Sequence, residues 1–308
     1  MEALTGYATI GILILVGVVC GHFGVLTVQH QKMMSKVALL VAAPALMFTI
    51  MEKADLSRVF ARSFVANVGA IVIAALIYVI LAALVFKRSA PERTMGMLLS
   101  CYTNAGNLGL PVAVYALGDA TWIAPVLLVQ LAILQPAALT HLDYHRARET
   151  GGPLPIGRLV TLPIRNPLTV ACLAGLALNF AHLRLPALLE TPAEMLGAVA
   201  VPTMLLAFGI SLRLEPRPKH DTESVESYVV IAIKVFLQPL AAFLLARYAL
   251  HLPAQSVRAV TVIAALPPAQ NIYIFGMRYG FRELFARDVI FRATAVSAVV
   301  ILVLMAVL

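Results

Sequence analysis

Two stretches decide the fold: Thr103-Asn-Ala-Gly-Asn-Leu-Gly-Leu-Pro111 and Leu266-Pro-Pro-Ala-Gln-Asn271. Each sets helix breakers and uncharged amides inside a run apolar enough to lie in a bilayer. Proline removes a backbone donor and clashes with the preceding turn, so a helix kinks or stops there. In hydrocarbon, the backbone groups so released survive only against protein or a water-filled cavity. Two interrupted spans at matching places in two halves of one chain point to a solute site near the bilayer midplane.

The rest of the chain fits a membrane setting. Of its 308 residues, 61% are hydrophobic and 12% charged, and mean hydropathy is +0.92. A soluble domain sits nearer half apolar and a quarter charged. A spanning helix needs about 20 mostly apolar residues. The pattern predicts an all-α, multi-pass protein with ten spans: Tyr7–Val28, Lys36–Met51, Arg62–Phe86, Thr94–Leu117, Trp122–Leu142, Asn166–His182, Ala193–Leu212, Tyr228–Leu250, Ser256–Met277 and Asp288–Leu308. The short alternating segments of a membrane barrel are missing. The first span is read as a helix and not a cleaved leader. No lysine or arginine precedes Lys32, whereas a leader starts with a positive region.

Of the 23 lysines and arginines, 15 fall in the loops after odd-numbered spans. Six (Lys53, Arg58, Arg62, Arg184, Arg247 and Arg258) fall on the opposite side. The positive-inside rule then puts the odd loops in the cytoplasm and both termini on the extracytoplasmic side of a cell membrane, inner or plasma. Topology and anionic lipid account for the net charge of +8, so no nucleic-acid partner is needed. Cys20, Cys101 and Cys172 lie in separate spans, which argues against a zinc site or a disulfide framework.

The longest polar connector, Asp143–Arg165, carries Gly151-Gly152-Pro153 and Pro155 and reads as a cytoplasmic linker. It separates residues 1–142 from residues 166–308, with five spans in each half. An odd number of spans reverses the second half in the membrane, so homology between halves makes an inverted repeat. Pro44 in span two and Pro202 in span seven end similar Val-Ala-rich runs 158 residues apart. Pro111 and Pro267 are 156 residues apart. The expected plan is a 5+5 inverted repeat with broken spans four and nine crossed at the centre.

Pro111 and Pro267 are each expected in the first turn of a new half-helix, whose remaining amides and positive dipole end face a cavity. Two such ends suit an anion. Pro268 extends the second break. Asn104, Asn107 and Asn271 can bond substrate oxygens, and they also fit as caps on the broken ends. Gln130 and Gln135 fit either an interhelical tie or the pocket lining, because a membrane glutamine is costly without a partner. Tyr273 suits either ligand contact or packing. Lys234, about six residues into span eight, is read first as snorkelling to the headgroups and second as a charge that attracts an anion. Arg292 is expected to pair with Asp288 one turn earlier. His22 and His141 read as interfacial side chains.

All 15 carboxylates are assigned to loops or span ends, which argues against a buried-acid proton relay. No G-x-S-x-G, H-E-x-x-H, Walker A or Rossmann fingerprint occurs, so no enzyme is expected. No bound cofactor is expected either. A coupling ion, H+ or Na+, is left open, since sodium can bind through carbonyls and amides.

The ten-span plan, the Asn104-x-x-x-x-Gly-x-Pro111 break, the Leu266-Pro-Pro-x-x-Asn271 break and Lys234-x-x-x-x-Pro239 together resemble the auxin efflux carrier family over essentially the whole chain. That family includes plant auxin exporters and bacterial transporters for malonate, malate and similar acids. The resemblance implies a fold shared with bile-acid:sodium symporters. Spans one, two, six and seven would form a scaffold, and spans three to five and eight to ten a transport domain. It further implies a homodimer through the scaffold, contact with membrane lipid, and an elevator-type movement carrying a small carboxylate anion at the crossing. A sodium-coupled organic-anion symporter of the bile-acid type is the alternative. Thr103, Pro268, Gln135 and Met47 replace the proline, glutamine, tyrosine and serine of plant members, and the long plant loop is reduced to Asp143–Arg165. These departures point away from auxin and towards a bacterial-type organic acid.

Overall fold

The computed structural model describes residues 2–54, 62–150, 165–214 and 224–308. Among them there is no strand, and the helices follow in the order α1 (Glu2–His22), α2 (Val28–Lys53), α3 (Arg62–Leu84), α4 (Ala90–Cys101), α5 (105–116), α6 (120–150), α7 (Pro167–Phe180), α8 (Ala187–Leu214), α9 (224–249), α10 (Ala254–Ala264), α11 (Asn271–Tyr279) and α12 (Glu283–Val307). Among the described residues, six stretches are long and apolar enough to cross a bilayer: Val28–Lys53, Arg62–Leu84, Ala120–Arg148, Ala187–Leu214, Val225–Ala249 and Glu283–Val307. Thr9–His22 and Pro167–Phe180 are shorter apolar helices. The fourth and ninth expected spans are the two that are interrupted, into α4 and α5 and into α10 and α11.

Two of the boundaries that differ from expectation bring charged residues into helix. The second span begins at Val28, because Thr27 and His30 close a capping box in which the Thr27 amide donates to His30 Nδ1 at 3.0 Å. Lys32 and Lys36 are therefore helical and do not lie in a loop. In addition, α6 runs on to Thr150, so Asp143–Thr150 is helix and not connector. The remainder of the expected linker, 151–164, lies outside the described residues, as do Arg58, Arg158, Arg217 and Lys219.

Four interior prolines share one local device. The π-helical turns Ala38–Ala42, Ala105–Gly109, Gln130–Leu134 and Ile233–Leu237 each end two residues before a proline: Pro44, Pro111, Pro136 and Pro239. Proline cannot donate to the helical ladder, and the looser i→i+5 turn spaces the neighbouring bonds around the gap. The helix bends there without ending.

The chain packs as two compact units. The first comprises Met1–Val59, Gly106–Leu128 and Pro163–Arg217. In it α1 lies so close to α8 that a methyl group on Gly17 would overlap the Leu206 carbonyl, and one on Gly209 would overlap that of Ile14. At Gly175 of α7 an added Cβ would stand 2.5 Å from the Phe48 carbonyl of α2. Lipid gives helices no hydrophobic reason to associate, so close backbone approach at small residues supplies the packing energy. Asn179 donates to the carbonyls of Met51 (2.9 Å) and Ala54 (2.8 Å), satisfying acceptors that the end of α2 would otherwise expose.

The second unit comprises Phe60–Ala105, Val129–Leu162 and Pro218–Leu308. Its apolar core includes Tyr78, Leu98, Leu99, Val230 and Val289. A buried ionic cluster ties one end of it. Glu226 accepts from Arg282 Nη1 (2.6 Å) and Nη2 (2.8 Å), from Arg88 Nε (2.9 Å) and from the Tyr78 hydroxyl (2.7 Å). Gly96 leaves room for the Tyr78 ring. Three carboxylates assigned to loops or span ends are thus buried: Glu52, Glu226 and Asp288. Asp288 pairs with Arg287 at 3.1 Å and not with Arg292, which donates to Ser227 Oγ at 3.3 Å. The adjacent arginine reaches the carboxylate, and α9 offers Arg292 a different acceptor.

Close approach at Gly209 makes a specific expectation. Gly209→Val should cost about 1–3 kcal/mol through overpacking and lower the melting temperature of detergent-purified protein. Gly11→Ala, where an added Cβ meets nothing within 4 Å, should leave it unchanged or slightly raised. Identical melting of Gly209→Val and wild type would refute the packing.

Candidate functional site

The two breaks lie within the second unit and bond to each other. Helix α4 stops at Cys101, Tyr102–Asn104 is unwound, and helix resumes at Ala105. Helix α10 stops at Ala264, and α11 starts at Asn271. Thr103 and Pro268 form an isolated antiparallel bridge. Around it the Asn104 amide donates to the Pro267 carbonyl at 2.8 Å, and the Ala269 amide to the Tyr102 carbonyl at 3.3 Å.

Side chains take up the other freed groups. Gln130 Oε1 accepts from the Thr103 amide (2.5 Å), while its Nε2 donates to the Thr103 carbonyl (2.9 Å). Gln238 Nε2 donates to the Cys101 carbonyl at 3.3 Å, and Ser297 Oγ to the Ala265 carbonyl at 2.5 Å. Lys234 Nζ donates to the Ala264 carbonyl at 2.9 Å. Each of these is a group that an intact helix would have paired internally. Pro267 and Pro268 have no amide hydrogen, so the second break has two fewer donors to place.

The surroundings are positive and amide-rich. Gln135 Oε1 accepts from the Tyr102 hydroxyl at 2.9 Å and lies 3.5 Å from Asn271 Nδ2. Asn271 Oδ1 is buried without a hydrogen-bond partner. Among the described residues no group of three or more His, Cys, Asp or Glu side chains could hold a metal ion. Such a place can bind and release a polar solute.

A family model described as "Membrane transport protein" matches residues 3–151 and 156–305, nearly the whole chain. The chain belongs to that family. It is a multi-pass membrane transporter and not an enzyme. It is also 26% identical over 265 residues, 83% of this chain and 80% of the relative, to a protein of Rhizobium meliloti (strain 1021) named "Putative malonate transporter".

Within the transporter, the breaks sit differently from the expected proline-first turns. Pro111 lies six residues past the restart at Ala105, after a π-helical turn, and Pro267 lies four residues before Asn271. A proline drives the residue before it into extended conformation. Pro267 and Pro268 in sequence therefore hold this stretch out of the helix; Pro267, Pro268 and Ala269 make the bridge, and the helix restarts only at Asn271. Lys234 does not snorkel: it is 0% exposed, held by Ala264, by Gln238 Oε1 (2.7 Å) and by Thr103 Oγ1 (3.2 Å). The break supplies the acceptors that snorkelling would have sought in the headgroups.

Of the candidate residues, Asn104, Gln130, Gln135, Lys234, Pro267, Pro268 and Asn271 gather at the breaks. Gln130 is 1% exposed with both amide ends on Thr103, so it ties the backbone of the first break. Tyr273 turns its hydroxyl towards Glu283, 3.5 Å away. Asn107 and Pro111 belong to the first unit. Thr103, Tyr102, Gln238 and Ser297 were not foreseen. Gln238 carried a signal, standing four residues after Lys234 on the same face of an apolar helix; Tyr102 and Ser297 carried none.

Gln130→Leu would strand the Thr103 amide, at a cost of about 1–3 kcal/mol, while the Thr103 carbonyl keeps its bond from the Ala105 amide at 2.7 Å. Its melting temperature should fall well below that of Gln135→Leu, which loses only side-chain bonds. Equal melting of the two variants would contradict the tie.

Proposed function

We propose that this transporter moves a small organic carboxylate anion, held at the paired breaks and exposed alternately to the two sides of the membrane. The observation that carries the reading is the pair of bonded helix breaks, amide-lined and backed by the buried Lys234 side chain. In low dielectric, a carboxylate gains most from fixed amide dipoles and a nearby positive charge. Asn104 and Asn271 are the proposed substrate contacts, with Gln135 beside them. The name of the Rhizobium meliloti relative supports malonate as the first acid to try. Plant-type auxin transport has less support, given the departures at Thr103, Pro268 and Gln135.

The same reading includes ten spans in a 5+5 inverted repeat, with spans four and nine crossing at the breaks. It puts the odd loops in the cytoplasm, both termini outside, and a homodimer contact on the scaffold spans. Division of the chain into two compact units supports an elevator-like step, in which the unit containing both breaks carries the solute. Residues 106–128 group with the first unit, so the carrying body would be smaller than the whole of spans three to five and eight to ten.

Uptake of radiolabelled malonate, malate, succinate and an indole acid into proteoliposomes tests the proposal. Saturable malonate uptake is expected. Asn104→Ala and Asn271→Ala should each lose about tenfold in apparent affinity or rate, roughly 1.4 kcal/mol, while remaining monodisperse. No flux of any carboxylate, or full activity in both variants, would sink it.

A further inference from the structure

Three uncharged side chains meet beside the bridge: Tyr102 in the unwound part of the first break, Gln135 on α6 and Asn271 at the start of α11. The Tyr102 hydroxyl donates to Gln135 Oε1 at 2.9 Å, and Asn271 Nδ2 approaches the same oxygen at 3.5 Å. Gln135 thus spends its oxygen on its neighbours and keeps its NH2 group over. Asn271 spends its nitrogen, and its Oδ1 is buried without a hydrogen-bond partner. What remains is one amide nitrogen and one amide oxygen. This remainder does not depend on which way round the amides are set. Turning both over makes Gln135 Nε2 the inward donor, and the Tyr102 hydroxyl, which can accept as well as donate, is satisfied again. One nitrogen and one oxygen are still left. Turning over only one amide would set oxygen against oxygen or nitrogen against nitrogen.

An ionised carboxylate carries acceptors only. A fully ionised dicarboxylate can therefore meet the amide nitrogen, but it brings a lone pair against the amide oxygen, and a buried polar atom left unmatched is costly. We propose that the transported solute combines one carboxylate with one hydrogen-bond donor of its own, the carboxylate accepting from the free amide nitrogen and the donor going to the free amide oxygen. This deepens the function proposed above and rests on it. None of the three side chains could balance a cationic donor, so the donor is neutral and the solute is a monoanion. It is a half-ionised dicarboxylic acid, such as hydrogen malonate, or a short hydroxy acid. In the first case the proton crosses as part of the solute, and no titrating side chain is needed to carry it. Tyr102 is a positioning residue. Its hydroxyl holds Gln135 in register with Asn271, and without it both amides could turn their nitrogens outward and accept a dianion or an ester equally well.

Two monoanions of similar size and equal charge isolate the donor: malonamate has an amide N–H, whereas monomethyl malonate has acceptors only. Malonamate should inhibit radiolabelled malonate uptake by wild-type proteoliposomes at a concentration roughly tenfold or more below that of the ester. It should also raise the melting temperature of detergent-purified protein where the ester does not. Malonate uptake should increase as pH falls through malonate's second ionisation, while the melting shift given by malonamate, which has no second carboxyl, stays level. A melting shift with 3-hydroxypropionate would extend the donor to an alcohol, and its absence would confine it to a carboxylic O–H; both agree with the proposal. Tyr102→Phe should still bind malonamate but narrow the gap between amide and ester, and an undiminished gap would overturn its positioning role. Equal action of amide and ester on wild type, no melting shift with either, or malonate uptake that is level or falls towards low pH would each overturn the proposal. If Tyr102→Phe does not fold, the wild-type comparison of amide with ester still decides it. Absence of flux for every carboxylate would count against the proposed function, and the melting comparison would still judge the donor.

Discussion

Everything distinctive in this molecule follows from the cost of an unpaired backbone group away from water. A helix broken within an apolar bundle releases several amides and carbonyls at once, and hydrocarbon offers them nothing. The second unit meets this by setting its two interruptions against each other. Thr103 and Pro268 form a two-residue scrap of antiparallel sheet, and Gln130, Gln238, Ser297 and Lys234 take the groups that the bridge leaves over. Neither break could persist without the other, because each supplies the other's acceptor or donor.

Two uses of proline stand out among the described residues. Pro44, Pro136 and Pro239 are each accommodated by a π-helical turn ending two residues earlier, and the helix continues. A tandem pair, Pro267 and Pro268, removes two donors and forces the preceding residues into extended backbone, which a wider turn cannot absorb. The first interruption has no proline in its unwound part. It is held open by Gln130, whose amide copies the donor and acceptor of a neighbouring strand.

Charge is distributed in the second unit by the same logic. At one end, Glu226 is surrounded by two arginines and a tyrosine, a buried carboxylate with its opposite charges in direct contact. At the breaks, a buried lysine is balanced by dipoles and neutral oxygens. Removing Glu226 from the first arrangement would leave Arg282 buried without the carboxylate that balances it, a loss of about 3–5 kcal/mol. The second leaves the lysine nitrogen beside the amides of both breaks.

The amino-acid sequence by itself determined that this is an all-helical membrane protein with two interrupted spans, because apolar run length and proline position act locally. It also pointed to Asn104, Gln130, Gln135, Pro267, Pro268 and Asn271, since polar amides in a greasy span stand out without any partner being known. It did not reveal which partner each amide chooses. Gln130 serves the backbone of Thr103, 27 residues away, and Tyr78 reaches Glu226 across 148 residues. Lys234 was misjudged for the same reason: a lysine near a span end has a default route to water, and only the acceptors gathered by two distant breaks make burial the better choice. Local pattern decides where a helix must fail. Tertiary structure decides what satisfies the groups that failure releases, because hydrogen bonds depend on which atoms lie within about 3 Å, and sequence separation says nothing of that.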